Sequence, residues 1–139
     1  MALLHAVDVR RLPAAIAPSD PGDPAAAFLG RLTDLLDSLP VRYPTFRYAI
    51  RRLGERLPSP PERPVIVHGD IRTGNLIVDG DGLAAVLDWE LARSGDPMED
   101  ASWLCLRSWR FGNDHLEVGG FAHLPELRKA YEAAGGTWR

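Results

Sequence analysis

The stretch from Val65 to Asp100 restricts the fold of this chain more than any other part of the sequence. It opens with Val65-Ile66-Val67, a run of three β-branched residues. Such a run predicts a short buried strand. The polar residues His68-Gly69-Asp70 follow at the point where this strand would end. The sequence therefore predicts that a buried strand delivers polar side chains to a loop.

A β-hairpin is predicted a few residues after this loop. Two apolar runs, Asn75 to Val78 and Leu83 to Leu87, flank the residues Asp79-Gly80-Asp81-Gly82, which tolerate the positive φ of tight hairpin turns. The hairpin carries Asn75 at the foot of its first strand and Asp88 at the end of its second. Two oxygen-bearing side chains are therefore expected to meet beside the preceding loop.

An aspartate in a loop, an asparagine five positions later and a further aspartate after a hairpin suit magnesium-dependent phosphoryl transfer. In that chemistry the first carboxylate receives the proton of an attacking hydroxyl, and the other two side chains hold Mg²⁺ against the nucleotide phosphates. The kinase pattern H-R-D-x-x-x-x-N followed by D-F-G corresponds here to residues 68–75 and to Asp88-Trp89-Glu90. Asp70 is therefore predicted to be the catalytic base, or the carboxylate that orients the hydroxyl. Asn75 and Asp88 are predicted to bind the metal and, through it, the nucleotide.

Two residues depart from the protein kinase pattern, the glycine at position 69 and the acidic residue at position 90. With these departures the stretch resembles the aminoglycoside phosphotransferase and choline kinase-like superfamily, whose members phosphorylate a hydroxyl of a small substrate. Gly95-Asp96-Pro97, Asp100 and Trp109-Arg110-Phe111-Gly112 add to the resemblance. Within the superfamily, the chain is most similar to the group that includes the kinase domain fused to some acyl-CoA dehydrogenases.

The resemblance implies an α+β fold that is mainly α, namely the C-terminal lobe of the protein kinase-like fold with a small β-hairpin at the metal site. Residues 1–139 would form this single catalytic lobe, with the catalytic loop over residues 68–75 and the metal-site hairpin over residues 75–88. The resemblance also implies ATP as phosphoryl donor, Mg²⁺ as cofactor and a small-molecule hydroxyl as acceptor. The identity of the acceptor is not specified by any residue pattern.

The sequence contains a single lysine, Lys129, within a helical pattern near the C-terminus. Kinases of this class use a strand-borne lysine and a phosphate-covering loop, both of which belong to an N-terminal lobe. No glycine-rich strand-turn-strand pattern precedes Val65. We therefore expect that the N-terminal lobe is absent, that a separately encoded lobe is a candidate partner, and that the chain alone is catalytically silent.

Other polar residues of the central stretch are predicted to support the site. Arg72 is a candidate for stabilising charge on the transferring phosphoryl group, with a structural ion pair to Glu90 or another acid as the alternative. His68 is predicted to brace the loop by hydrogen bonds, Asp96 to cap a helix and Asp100 to anchor the catalytic loop from below. For Glu90, contact with a second metal ion and a solvated or arginine-paired role both stay open.

Most of the remaining sequence is predicted to be helical. A helical tail over residues 1–9 precedes four helices, which are expected over residues 24–39, 44–57, 97–108 and 124–134. Pro13, Pro18 and Pro21 predict an irregular segment, and the proline-rich residues 58–64 predict an extended connector. The helix from Pro97 is apolar on nearly all sides and is expected to be buried beneath the catalytic loop.

Composition excludes several classes of protein. The formal net charge of -3, with scattered arginines, argues against a nucleic-acid-binding surface. Cys105 is the only cysteine, so a disulfide framework is excluded. No apolar stretch has the length of a membrane span or the pattern of a signal peptide, and the cytoplasm is the expected location.

Two other functions are compatible with these residues. A non-catalytic remnant could keep this lobe in order to bind a ligand or a partner. A metal-dependent hydrolase could use His68, Asp70 and Asp88, but Asn75 and the hairpin would then have no role. A glycine-rich hairpin and a strand lysine encoded in frame upstream would favour the kinase over the remnant.

Overall fold

The computed structural model describes residues 1–11 and 22–139. Its helices and strands, in chain order, are α1 (Ala2–His5), α2 (Pro24–Ser38), α3 (Pro44–Gly54), β1 (Val65–Val67), β2 (Leu76–Asp79), β3 (Gly82–Val86), β4 (Arg93–Gly95), α4 (Pro97–Leu104) and α5 (Leu124–Ala133). Short 3-10 helices cover Val9–Arg11, Thr73–Asn75, Trp89–Leu91 and Arg107–Trp109. This mixture of helices and small sheets confirms the predicted α+β class. The irregular segment predicted around Pro13, Pro18 and Pro21 lies outside the described residues.

Two small antiparallel sheets hold the central stretch together. Strands β2 and β3 form the predicted hairpin, with Leu76 opposite Val86. Strand β1 is buried along its whole length, as predicted, and pairs with β4 so that Val65 lies opposite Gly95. Strand β4 was not predicted, because Arg93-Ser94-Gly95 carries no β-branched residue. Its extended backbone comes from pairing with the buried strand β1, which is a contact distant in sequence.

Helix α4 is shorter than predicted and is buried on one face only. It ends at Leu104 rather than near Ser108, because the Leu104 carbonyl oxygen accepts a hydrogen bond from the Gly119 N–H at 3.0 Å. That carbonyl is therefore taken by the loop before α5 instead of the next helical turn. Ser102 is exposed, while Ala101 and Leu104 are buried. The expectation that this helix is buried on all sides was wrong.

Helices α2 and α3 contact each other, and neither contributes a fully buried side chain. Asp23 caps α2 as its sequence position predicts, by accepting from the Ala25 N–H at 2.9 Å and the Ala26 N–H at 3.2 Å. Helix α3 ends at Gly54, earlier than predicted, in front of the proline-rich connector. The helical tail predicted at the start of the chain is a single turn over Ala2–His5.

The buried core lies directly behind the catalytic loop. Ile71 of that loop packs with Leu104 of α4 and with Val118, which precedes α5. Helix α5 ends as predicted at a glycine, since Gly135 adopts a φ of +87° and the Gly136 N–H donates to the Tyr131 carbonyl at 2.9 Å. No helix within residues 1–11 and 22–139 has the length and apolar content that crossing a membrane requires.

Candidate active site

Within the residues that the structure describes, the carboxylate of Asp70 accepts hydrogen bonds from three side chains. Its Oδ1 accepts a hydrogen bond from the Trp103 indole N–H at 2.8 Å. Its Oδ2 accepts from the Asn75 amide at 2.9 Å and from the Arg72 Nε–H at 3.1 Å. These donors come from the loop itself and from α4, so the two elements together fix the orientation of the carboxylate.

These hydrogen bonds keep Asp70 ionised. Burial raises the pKa of the carboxyl group, but the bonds from Trp103, Asn75 and Arg72 lower it by more, so the pKa lies below the ordinary aspartate value. A carboxylate offers about four acceptor positions. Three are used, two on Oδ2 and one on Oδ1. One position, on Oδ1, is therefore left for a further donor such as a hydroxyl.

Asn75 joins the catalytic loop to the hairpin. The residue is 4 % exposed, and its amide nitrogen donates both to the Asp70 carbonyl oxygen at 2.8 Å and to the Asp70 carboxylate. Its own backbone carbonyl accepts from the Leu87 N–H at 2.8 Å. With the amide nitrogen committed to Asp70, the side-chain oxygen of Asn75 forms no hydrogen bond among the described residues.

Asp88 follows Leu87 at the end of β3, on the hairpin end that contains Asn75. It is exposed and adopts the left-handed conformation, with φ 68° and ψ 63°. Aspartate tolerates this region better than most residues, but a non-glycine residue held there is uncommon and such positions cluster at functional sites. No hydrogen bond to its carboxylate forms among the described residues, so the charge faces solvent.

His68 is fully buried and uses both ring nitrogens on backbone groups. Its Nδ1 accepts from the Asp70 N–H at 3.2 Å, which places the ring proton on Nε2. Nε2 then donates to the Leu87 carbonyl oxygen at 2.8 Å. The ring also packs at a tilt on Trp89, with 4.7 Å between centroids. This arrangement is that of a brace, and it argues against the metal ligation by His68 that the hydrolase hypothesis requires.

Asp100 of α4 lies beneath the catalytic loop and is fully buried. It accepts from the backbone N–H groups of His68 at 2.8 Å and Gly69 at 2.9 Å. Gly69 adopts a φ of +83°, and a Cβ there would lie 2.7 Å from the Leu91 carbonyl oxygen. This crowding gives a physical reason for the glycine at the second position of the loop motif.

The other predicted residues lie around this centre. Asp96 accepts from the Met98 N–H at 2.8 Å, which caps α4, and forms an ion pair with Arg139. Arg72 pairs with Asp70, and its guanidinium stacks over the Trp109 ring at 5.2 Å. The sequence left Glu90 or another acid as the ion-pair partner of Arg72, and in the structure this partner is Asp70. Glu90 is exposed at the surface next to the hairpin.

Two residues that contact this network were not predicted from the sequence. Trp103 binds the carboxylate of Asp70, and His5 of α1 lies 3.3 Å from the carboxylate of Asp100. From the sequence, Trp103 was predicted only to be one of the apolar, buried residues of α4. His5 is 95 residues from Asp100 in sequence, and no local pattern could connect the two.

The residues present suit a magnesium ion. No group of three or more His, Cys, Asp and Glu side chains in the described part of the chain could hold a metal. Mg²⁺, however, is usually bound by one or two protein oxygens and completed by waters and phosphates. The uncommitted amide oxygen of Asn75 and the solvent-facing carboxylate of Asp88 are two such donors at one end of the hairpin.

The chain is similar to known phosphotransferases. It is 28% identical to macrolide 2'-phosphotransferase type I, with a TM-score of 0.66 over 99% of this chain and 42% of that one. It is also 28% identical to a Ralstonia eutropha JMP134 protein classed with the aminoglycoside phosphotransferases, with a TM-score of 0.73 over 99% of this chain and 45% of that one. The predicted kinase-like fold is thereby confirmed, and the chain spans less than half the length of these neighbours.

Similarity in sequence points to the same family. Over 65 residues, or 45% of the chain, it is 42% identical to the mouse protein acyl-CoA dehydrogenase family member 10, of which it covers 6%. This match agrees with the subgroup predicted from the sequence. The family model described as "Phosphotransferase enzyme family" matches residues 1–139. The chain therefore belongs to the phosphotransferase enzyme family.

Proposed function

We propose that this chain is the catalytic lobe of an ATP-dependent phosphotransferase that transfers the γ-phosphate to a hydroxyl of a small molecule. The observation that carries the proposal is the environment of Asp70. Three donors fix its carboxylate, one acceptor position stays free on Oδ1, and the end of the hairpin lies alongside. Membership of the family and the two solved neighbours support the same reaction class.

Asp70 orients the acceptor hydroxyl in this proposal. The lowered pKa means that the group is ionised at neutral pH, so it is ready to accept a hydrogen bond. It also means that Asp70 is a weak base. That is sufficient, because the transition state of phosphoryl transfer is loose and positioning contributes more than proton abstraction.

Asn75 and Asp88 would hold Mg²⁺ through their side-chain oxygens. When bound, this ion neutralises charge on the phosphates of ATP. The carboxylate of Asp88 supplies negative charge toward solvent, and the backbone of Leu87 fixes its position relative to Asp70. Arg72 pairs with Asp70 and would supply positive charge for the transferring group.

Catalysis is proposed to need a second lobe as partner, either covalently linked or separately encoded. The solved neighbours are more than twice as long as the matched chain. Apolar side chains on the outside of the hairpin are exposed, namely Ile77 at 45%, Val78 at 70% and Leu83 at 56%. A lobe packed on this hairpin would cover them.

Because the reaction consumes ATP, we place the protein in the cytoplasm.

The test is phosphoryl transfer by the chain combined with the first lobe of a relative, assayed with ATP against hydroxylated small molecules. Asp70→Asn and Asp88→Asn should each lower turnover by about a thousandfold, a loss of about 4 kcal/mol of transition-state stabilisation. Asp81→Asn, an exposed carboxylate at the far end of the hairpin, is the matched control and should retain turnover.

Activity that survives in Asp70→Asn and Asp88→Asn would refute these roles. A folded, complete assembly that shows no transfer and binds no Mg-ATP would support the non-catalytic remnant instead. The chain without a second lobe should bind Mg-ATP more weakly than micromolar in calorimetry and should not turn over.

A further inference from the structure

We propose that His5 and Tyr131 are positioning residues that hold the catalytic loop in place through Asp100. The inference rests on the proposed function, because the loop that they hold carries Asp70. Both residues lie outside the catalytic loop and the hairpin. They lie on the first and last helices of the chain, α1 and α5.

The three side chains form a buried hydrogen-bonded chain. Tyr131 Oη lies 2.7 Å from His5 Nδ1, and His5 Nε2 lies 3.3 Å from Asp100 Oδ2. His5 and Tyr131 are each 4% exposed, and Asp100 is fully buried. Buried polar groups that pair in this way are costly to disrupt, because water cannot replace a lost partner.

The direction of the chain follows from its end members. Asp100 can only accept, so His5 donates from Nε2. A neutral imidazole with its proton on Nε2 accepts at Nδ1, and Tyr131 therefore donates its hydroxyl proton there. Burial and the nearby carboxylate of Asp100 raise the pKa of the Tyr131 hydroxyl, which keeps this donor protonated.

Asp100 distributes its two oxygens between this chain and the loop. Oδ2 receives both His5 Nε2 and the His68 N–H, and Oδ1 receives the Gly69 N–H. His5 therefore limits rotation of the carboxylate that fixes two successive backbone groups of the loop. Those two residues directly precede Asp70.

The surrounding structure fixes Tyr131 in turn. Its ring is held edge to face by His5, with 5.6 Å between centroids, and by Trp138, with 6.0 Å. A Cβ at Gly136 would lie 2.2 Å from the ring, so only glycine leaves room there. The order of the catalytic loop thus depends on helices far from it in sequence.

The experiment measures hydrogen exchange of the His68 and Gly69 amides by NMR, on the isotope-labelled chain, relative to the most protected amides of β1. In His5→Leu the protection of His68 and Gly69 should fall about tenfold more than that of β1. His5→Gln, whose amide can donate to Asp100 and accept from Tyr131, should restore most of it. His115→Leu, at an exposed histidine, should leave unchanged the ratio of the protection of His68 and Gly69 to the protection of β1.

Tyr131→Phe removes only the hydroxyl and should lower the same ratio about threefold, which provides a test if His5→Leu does not fold. Equal loss of protection at β1 and at the loop would overturn the proposal in favour of a general packing role. An unchanged ratio in Tyr131→Phe, or no recovery in His5→Gln, would also overturn it. The readout needs no phosphoryl transfer, so its result is independent of whether the proposed reaction is found.

Discussion

His68 Nε2 donates a hydrogen bond to the Leu87 carbonyl oxygen at 2.8 Å, which ties the start of the catalytic loop to the end of the hairpin. The N–H of Leu87 is held as well, by the Asn75 carbonyl at 2.8 Å. Both backbone groups of Leu87 are therefore fixed immediately before Asp88. The position of the candidate metal-binding carboxylate depends on these two bonds.

His68→Phe should destabilise the chain. The substitution keeps a buried ring but leaves two partly buried groups, the Leu87 carbonyl and the Asp70 N–H, without their partners. An unpaired group costs about 1–3 kcal/mol when it is fully buried, and less when it is partly exposed. The free energy of unfolding in urea should fall by at least about 1 kcal/mol. His115→Phe, at an exposed position, serves as the control. Equal stability of the two variants would show that the His68 bonds contribute nothing.

Trp103→Phe should raise the pKa of Asp70. The change removes one of the donors that stabilise the ionised carboxylate and leaves the other two in place. Carboxyl-carbon NMR during a pH titration would report the change. The control is Trp109→Phe, because the Trp109 indole N–H has no hydrogen-bond partner within the described residues and phenylalanine keeps an aromatic ring beneath Arg72. A pKa of Asp70 that stays the same in Trp103→Phe would contradict the assigned bond.

Asp100 should make stability depend on acid pH. Burial raises its pKa, but the bonds from His5 and from the His68 and Gly69 N–H groups lower it by more, so its folded-state pKa lies below the ordinary value. As pH falls, the unfolded chain binds the proton first. The stabilisation is therefore complete above the unfolded pKa of about 3.9 and is lost as pH falls through the lower folded value.

Asp100→Asn should accordingly lower the free energy of unfolding at neutral pH by about 1.5–3 kcal/mol. It should also show a shallower decline in acid than the parent, as followed by urea unfolding at a series of pH values. Asp34→Asn, at an exposed position of α2, should reproduce the parent curve. Parallel curves for Asp100→Asn and the parent would mean that the carboxylate has an ordinary pKa.

Gly69→Ala should be much more destabilising than Gly80→Ala. Gly69 has a positive φ, and a Cβ there would approach a backbone oxygen, whereas a Cβ at Gly80 would meet nothing within 4 Å. The left-handed conformation alone costs a non-glycine residue about 1–2 kcal/mol. Thermal unfolding of both variants would measure the difference. Similar melting temperatures would show that the loop can move away from Leu91.

Local sequence patterns were sufficient to predict the elements that carry the candidate site. Strand β1 and the β2–β3 hairpin were predicted because β-branched runs and a turn sequence act over a few residues. The Asp23 cap and the glycine end of α5 were predicted for the same reason. The order of Asp70, Asn75 and Asp88 on a loop and a hairpin led to the prediction that the three would meet. The structure joins Asp70 and Asn75 by a hydrogen bond and places Asp88 at the hairpin end that contains Asn75.

The remainder depends on contacts distant in sequence. Strand β4 is extended because it pairs with β1. Helix α4 ends early because the N–H of a loop residue, Gly119, donates a hydrogen bond to the Leu104 carbonyl. The sequence pattern predicts Trp103 as a core residue, although its indole N–H donates a hydrogen bond to Asp70. Packing of the whole chain decides such contacts, and no period or motif in the sequence encodes them.

The central claim is that Asn75 and Asp88 form a metal and nucleotide site beside Asp70. The most direct measurement is NMR of the isotope-labelled chain titrated with ATP and Mn²⁺, a paramagnetic ion that accepts the same oxygen ligands as Mg²⁺. The account predicts that the amide signals of Asn75, Leu87 and Asp88 broaden first, that Asp88→Asn abolishes this effect, and that Asp81→Asn preserves it. Equal broadening at other exposed carboxylates, or broadening that persists in Asp88→Asn, would contradict the account.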